Sequence, residues 1–409
     1  SNAEIINALE SIVLPGLIDP HVHLREPGFE WKETIQSGAL AAVLGGFTTV
    51  FCMPNTNPVN DNAEITKFII EKAEKTGAAK VLPIGAVSLG LKGEELAPLA
   101  ELREAGCVAF SDDGEPIYNA NIMRRALEWC KALGARVCCH EEDKTLTAGG
   151  SMNESALSYF LGLKGMPPSA EEIMIARDIE LARSSGGAVH ICHLSTKRGV
   201  ELIKRAKEDG INITAEVTPH HLLLTEERVK DYDTNAKMSP PLRREEDREA
   251  LLEGLKTGVI DVVASDHAPH ERDAKLLEFS KAPFGIIGLQ TTAGLIFKLV
   301  DEGKLSFERA VKAMSTKVAE IFNIDGGTIK KGAPADITII NLKERWRLKE
   351  EDIVSLSKNT PFLGEEMLGQ VENVIVNGRI VLKNRKLLLK DIEEKSLKEN
   401  KEIFINQNI

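Results

Sequence analysis

The sequence predicts an α/β fold, a (β/α)8 TIM barrel with a small β-module built from the chain termini. Three observations carry that expectation. Eight short, β-branched apolar runs alternate with longer helical segments between Leu17 and Asp266, the pattern of a parallel sheet covered by helices. No G-x-G-x-x-G follows the first run, so the dinucleotide-binding version of an open doubly wound sheet lacks support. After Asp325-Gly326-Gly327 the period changes: Ala335–Leu342 alternates, and Asn377-Gly378 within NVIVNGRIVL predicts a type I′ hairpin turn. The barrel is expected over residues 16–323, the β-module over 324–383, and a lysine- and glutamate-rich solvated tail over 384–409.

In chain order the expected strands are Leu17–His23, Phe47–Met53, Lys80–Val87, Cys107–Ser111, Arg136–His140, Ala188–His193, Ile211–Val217 and Asp261–Asp266. Asp61 can cap a helix through Lys75 that Gly77 ends, and Asn119 one through Leu133 that Gly134 ends. Ser169 opens a helix toward Ser185, and Thr196 precedes one that stops at Gly210. Ser306–Phe322 reads as one further helix. Glu271 to Pro283 reads either as a mobile lid or as a surface helix with Leu276, Leu277 and Phe279 packed down.

Composition excludes several classes. A net charge of -11 makes a phosphate-tracking surface, and so a nucleic-acid partner, unfavourable. No apolar run approaches the roughly 18–20 residues that span a bilayer, so no membrane partner is expected. The six cysteines lie mostly in strand-like runs and read as reduced, buried thiols of a cytoplasmic protein. Ser1-Asn2-Ala3 looks like a scar of tag removal.

Chemistry gathers at the strand ends. Residues i and i+2 of a strand share a side, so His21 and His23 form a chelating half-site for a first-row divalent metal such as zinc. Further strands end in Ser111-Asp112-Asp113, His140-Glu141-Glu142, His193-Leu194-Ser195 and Asp266-His267-Ala268-Pro269-His270. Barrel active sites sit at this C-terminal rim, and core filling does not require imidazoles and carboxylates to recur there. Such a donor set exceeds what one tetrahedral zinc needs, which favours two metals, a carboxylate bridge and a hydroxide nucleophile. Asp266 could then move the proton to a leaving nitrogen. The chemistry suits hydrolysis of an amide or cyclic amide.

GLIDPHVHLREPG, GGFTTVFCMPNTNP, GCVAFSDDG, CCHEED, VHICHLST and VASDHAPH together resemble the amidohydrolase superfamily, specifically bacterial-type dihydroorotases with aspartate at the bridging position. The resemblance runs from about Glu4 to Asn384. It implies reversible interconversion of N-carbamoyl-L-aspartate and (S)-dihydroorotate in pyrimidine biosynthesis, through a zinc-bound hydroxide. It implies that His21, His23 and Asp266 hold one zinc and that His140 and His193 hold the other. Asp113 takes the bridging place, with Asp112 as the alternative, and Asp266 also matches the general acid/base. For the substrate it implies Arg25 and Asn55 on the carboxylate, His270 as a further contact, and Phe284-Gly285 near the ring. Arg25 stands on its own chemistry too, because guanidinium grips carboxylate in bidentate fashion. Ser239 is a departure, a hydroxyl where the family often has asparagine.

The resemblance also implies an N-terminal β segment pairing with the β-module, with residues 1–15 as its remnant. An unpaired module edge should then be partly disordered or covered by another subunit. Partners on this reading are the small-molecule substrate, a second copy in a homodimer, or aspartate transcarbamoylase in a complex. Hydantoinases, dihydropyrimidinases and allantoinases share the metal motifs but usually bridge with lysine, and Arg25 and Asp113 argue against them. An inactive scaffold subunit should have lost ligands, and here each expected ligand is present. His190, His220, His221 and His267 read as structural, and Cys138, Cys139 and Cys192 as packing residues.

Overall fold

The computed structural model describes residues 5–388. The part of the expected charged tail beyond residue 388 lies outside them. In chain order the strands are β1 (Ile12–Pro15), β2 (Leu17–Val22), β3 (Phe47–Cys52), β4 (Lys80–Pro83), β5 (Phe110–Ser111), β6 (Val137–Cys139), β7 (Met152–Asn153), β8 (Gly165–Met166), β9 (Val189–Ile191), β10 (Ile213–Val217), β11 (Val262–Val263), β12 (Ile337–Arg347), β13 (Glu366–Val376), β14 (Arg379–Lys383) and β15 (Lys386–Leu387).

The barrel forms from the eight expected strands. β2-β3-β4 and β5-β6-β9-β10-β11 are two parallel sheets, and parallel bridges Gly85–Phe110 and Val22–His267 join them at both seams. β2 and β3 are buried at every position, as strands covered on both faces must be. Helices cap as the sequence suggests, with small differences. Asn119 and Thr196 cap Ala120–Ala132 and Lys197–Glu208 through their side chains. Over Ala63–Thr76 the cap is Asn62, one residue beyond the expected Asp61, which instead accepts from the Gly90 amide. The helix expected over Ser306–Phe322 is broken at Ser315 into Phe307–Met314 and Thr316–Phe322. There the Ser315 hydroxyl donates to the Gly16 carbonyl at 2.7 Å, a tertiary bond that turns the chain. Phe322 then packs edge-on against Phe51 and His190, near the start of β6, where Arg136 donates to the Ile321 carbonyl.

The antiparallel sheet β1-β12-β13-β14-β15 is paired throughout the described residues and runs past Lys383 to Leu387. Asn377 and Gly378 both adopt positive φ, 48° and 76°, as a type I′ turn requires. β1 forms one edge and leaves Ile12 and Val13 exposed. The sheet shares the main core with the barrel through Ile340, Val371 and Val374, and Thr338 donates to the Gly46 carbonyl. Between β12 and β13 the chain runs over the strand-end rim, which brings Ser355 and Asn359 to the site described next. Glu271 to Pro283 is mostly irregular: only Arg272–Lys275 is helical. Phe279 packs down, but Leu276 is 73% exposed and Leu277 49%, so the expected apolar helix face does not form.

Candidate metal centre and substrate pocket

His21, His23, Asp113, His140, His193 and Asp266 converge, fully or almost fully buried, on the C-terminal rim. Their donor atoms form two groups, His21, His23 and Asp266 on one side and Asp113, His140 and His193 on the other, linked by a third of His21, Asp113 and the Cys192 thiol. Asp113 lies between, with one oxygen 3.4 Å from His21 Nε2 and from His23 Nε2 and the other 3.3 Å from His193 Nε2. Asp112, the alternative at this turn, faces away. It accepts from the Val87 and Ser88 amides and from the Ser88 hydroxyl.

Outward-facing ring nitrogens are already bonded. His21 Nδ1 donates to Glu216 at 2.6 Å, His23 Nδ1 to the Asn55 carbonyl at 2.9 Å, and His140 Nε2 to Glu142 at 3.1 Å. Those partners fix tautomers that leave the inward nitrogens as lone-pair donors. His21 Nε2 is buried without a hydrogen-bond partner, and His140 Nδ1 faces His193 Nε2 at 3.0 Å. Imidazole nitrogens aimed at one another and at two carboxylates fit a divalent cation between them. The donors are nitrogen and oxygen, a set suited to zinc among several first-row metals. A further buried group, Cys139, Glu141 and Asp178, is neutralised in part by Arg177 at 2.7 Å from Asp178.

Charge and backbone agree with that arrangement. Burial raises the Asp113 carboxyl, but positive charge at His21 and hydrogen bonds from His140 and His193 outweigh it and hold the carboxyl well below the usual range, protons on those rings taking the place a cation would. Glu216 is likewise desolvated and held low by His21 and His190. Arg25, His193 and Asp266 have φ of 63°, 31° and 45°. Left-handed conformations at three non-glycine site residues are strain of the kind concentrated at functional sites.

The centre opens into a cavity of about 470 Å3 lined by His23, Arg25, Asn55, Ser239, His270 and Phe284, among others. Arg25 Nε donates to the Pro269 carbonyl at 3.2 Å, and one terminal nitrogen lies 3.4 Å from His270. Burial and the adjacent Arg25 and Lys32 push His270 down to about 2, so its ring is neutral. Asn55 spends its carbonyl on His23, which leaves its amide N–H groups for the cavity. Ser239 reaches the cavity wall beside Met238. Gly285 has to be glycine: a Cβ there would lie 2.5 Å from the Ala268 carbonyl and 2.7 Å from the His270 ring.

Three of the four histidines read as structural are held by hydrogen bonds, whereas His220 packs against the His221 ring with its Nε2 buried and without a hydrogen-bond partner. His190 bonds Thr214 and Glu216, His221 bonds Thr218 and the Pro240 carbonyl, and His267 lies between Glu33 and the Gly288 amide. All six cysteines are free and buried. Several residues that matter escape the motif reading. Glu216 was visible as a lone acid in the apolar run ITAEV. Glu33 and Asn359 carry no local signal. Asn359 donates to the Ala268 and Gly285 carbonyls and accepts from the His270 amide, tying the last strand-end motif to the ring-side loop.

Comparison with known proteins gives consistent results. A family profile described as Dihydro-orotase-like matches residues 10–199. The dihydroorotase of Geotalea daltonii is 50% identical over 383 residues, 94% of this chain and 90% of that protein. That of Caldanaerobacter subterraneus subsp. tengcongensis is 50% identical over 388 residues, again 94% and 90%. Among solved structures, the L-hydantoinase of Arthrobacter aurescens superimposes with a TM-score of 0.83 at 25% identity, covering 93% of this chain and 87% of that one. A D-hydantoinase from Thermus sp. gives 0.81 at 27%, covering 95% and 89%.

Proposed function

The chain belongs to the dihydroorotase family, and from that premise we propose that it interconverts N-carbamoyl-L-aspartate and (S)-dihydroorotate. The reaction is a cyclic amide hydrolysis and its reverse. The observation that carries the substrate assignment is Arg25, a half-buried guanidinium two residues beyond His23 and on the wall of the same cavity. Desolvation lowers its pKa to about 10, a cost that an arriving carboxylate would offset. Asn55, Ser239 and His270 supply neutral polar contacts around it, and Phe284-Gly285 form the wall against the ring.

We assign two zinc ions, one to His21, His23 and Asp266, one to His140 and His193, with Asp113 shared. When bound, such ions lower the pKa of a water toward neutrality and polarise the ring carbonyl. The chain's own groups do the rest. Asp266, with Oδ1 3.1 Å from His23 Nε2, takes the proton from the attacking water and returns it to the ring nitrogen as the C–N bond breaks. Microscopic reversibility has it accept the proton from that nitrogen and deliver it to the oxygen leaving as water in ring closure. Glu216, Asn55 and Glu142 keep His21, His23 and His140 in their donor tautomers. Arg25 fixes the substrate carboxylate so that the amide lies over Asp266. The six free thiols suit the cytoplasm, and no helix among the described residues is long and apolar enough to cross a membrane. Sedimentation with and without aspartate transcarbamoylase tests the homodimer and the complex.

A substrate panel tests the assignment. Wild-type protein should turn over dihydroorotate and leave dihydrouracil, the same ring without the carboxylate, nearly untouched. Arg25→Met should raise KM for dihydroorotate by about 100-fold, as loss of a charge-assisted bidentate pair implies. Preference for the uncharged ring would instead identify a hydantoinase-type enzyme.

A further inference from the structure

The wall that faces the substrate ring is a loop, and two buried lysines hold it. Lys237 follows the short turn Thr234–Ala236 and directly precedes Met238 and Ser239 of the cavity lining. Its Nζ donates to the carbonyls of Phe279, Ser280 and Ala282 at 2.7, 3.1 and 2.6 Å. An ammonium has three N–H donors, so this one is fully engaged with backbone. Lys275, at the end of helix Arg272–Lys275, donates to the carbonyls of Pro283 and Gly285 at 2.9 and 3.1 Å. Both side chains are buried, at 2% and 5% exposure.

Buried loop carbonyls need partners, and here five of them between residues 279 and 285 converge on two cations. Neither ammonium has a carboxylate bonded to it; Asp233 offers Lys275 an opposing field from a distance, and the two lysines repel one another. Burying two unpaired like charges side by side costs stability. A fold needing only to fill this space would do so more cheaply with apolar groups. The return is local: Lys237 Nζ sits 4.5 Å from the centre of the Phe284 ring, and the Lys237 carbonyl accepts from the Gly285 amide at 2.9 Å. The same residue therefore grips both ring-side contacts.

We propose that Lys237 and Lys275 are positioning residues for substrate binding, whose ammonium groups gather the 279–285 carbonyls so that Phe284 and Gly285 present a fixed wall to the dihydroorotate ring. This rests on the reading of the cavity as a dihydroorotate pocket. Neither lysine touches the metal-ligand cluster, so the pair acts on binding and leaves the chemical step alone. Burial lowers both groups, Lys237 to about 8 and Lys275 to about 7, which agrees with carbonyl partners in place of carboxylates.

The test uses metal-loaded full chain with Lys237→Met and Lys275→Met, which keep length and remove the donors, beside Lys237→Gln and Lys275→Gln, which restore an amide donor. Each Met variant should raise KM for dihydroorotate about tenfold with kcat within about twofold. Hydrogen exchange across 276–285 should accelerate, and the Gln variants should fall between Met and wild type. Unchanged KM in a folded variant overturns the proposal, as does a fall in kcat at constant KM. If a Met variant does not fold, its Gln partner is read by the same criterion. Wild type that leaves dihydroorotate untouched would sink the functional reading instead; the exchange data then decide the clamp, and unaltered exchange across 276–285 overturns it.

Discussion

The two sides of the cavity are built in opposite ways. On the metal side, side chains point inward from strand ends and are locked by single outward bonds, His21 to Glu216 and His23 to Asn55. On the substrate side, the wall is loop backbone, locked by side chains reaching from elsewhere: Lys237, Lys275 and Asn359. A strand-mounted group loses function when its own atoms change. A loop-mounted wall loses it when a distant donor is removed. The difference teaches where each kind of failure should appear, chemistry on one side and binding on the other.

The largest effect expected short of losing the centre is at Asp266. Asp266→Asn keeps one oxygen for coordination but cannot carry a proton, and kcat should fall by about 10²–10⁴; steady-state kinetics on metal-loaded protein decides it. A fall in affinity alone would move Asp266 to the binding side of the comparison. Glu216→Gln is the next step down. The amide still reaches His21 but no longer offers a carboxylate to its Nδ1–H, and metal affinity should weaken about 10–100-fold in chelator competition. Metal retention as in wild type would mean that the outward bonds do not lock the donors.

Asp112→Asn should have the smallest effect and separates neighbours. It should leave metal content intact, because Asp112 anchors Val87 and Ser88 rather than the centre. Burial pushes its carboxyl from 3.8 up to about 6. The folded state therefore holds the proton longer than the unfolded state, so stability falls as pH rises through that window and the penalty is complete above it. The variant escapes the penalty. Its unfolding free energy relative to wild type should rise between pH 4 and 7, by at most about 3 kcal/mol. A difference that falls over that range would contradict the stated environment.

The same contrast explains what the sequence made legible. Strand-end donors were readable because alternation and a polar stop are local signals, and His21, His140, His193 and Asp266 each sit at one. The choice between Asp112 and Asp113 was not, because it depends on the turn after Ser111. Nor was the break at Ser315, which a bond to Gly16, almost the full barrel away in sequence, enforces. Glu216 could have been found, since an acid inside ITAEV has to be paired. Asn359, Lys237 and Lys275 could not, because their partners are backbone carbonyls that only tertiary structure gathers.

Metal content measured together with dihydroorotate turnover, for wild type and Asp113→Ala reconstituted side by side with zinc, tests the central claim most directly. The account predicts about two equivalents and turnover in the wild type. In the variant it predicts at least one equivalent lost and activity reduced by about a thousandfold or more, in line with what a two-metal clamp contributes. Wild-type-like metal content and turnover in Asp113→Ala would contradict it.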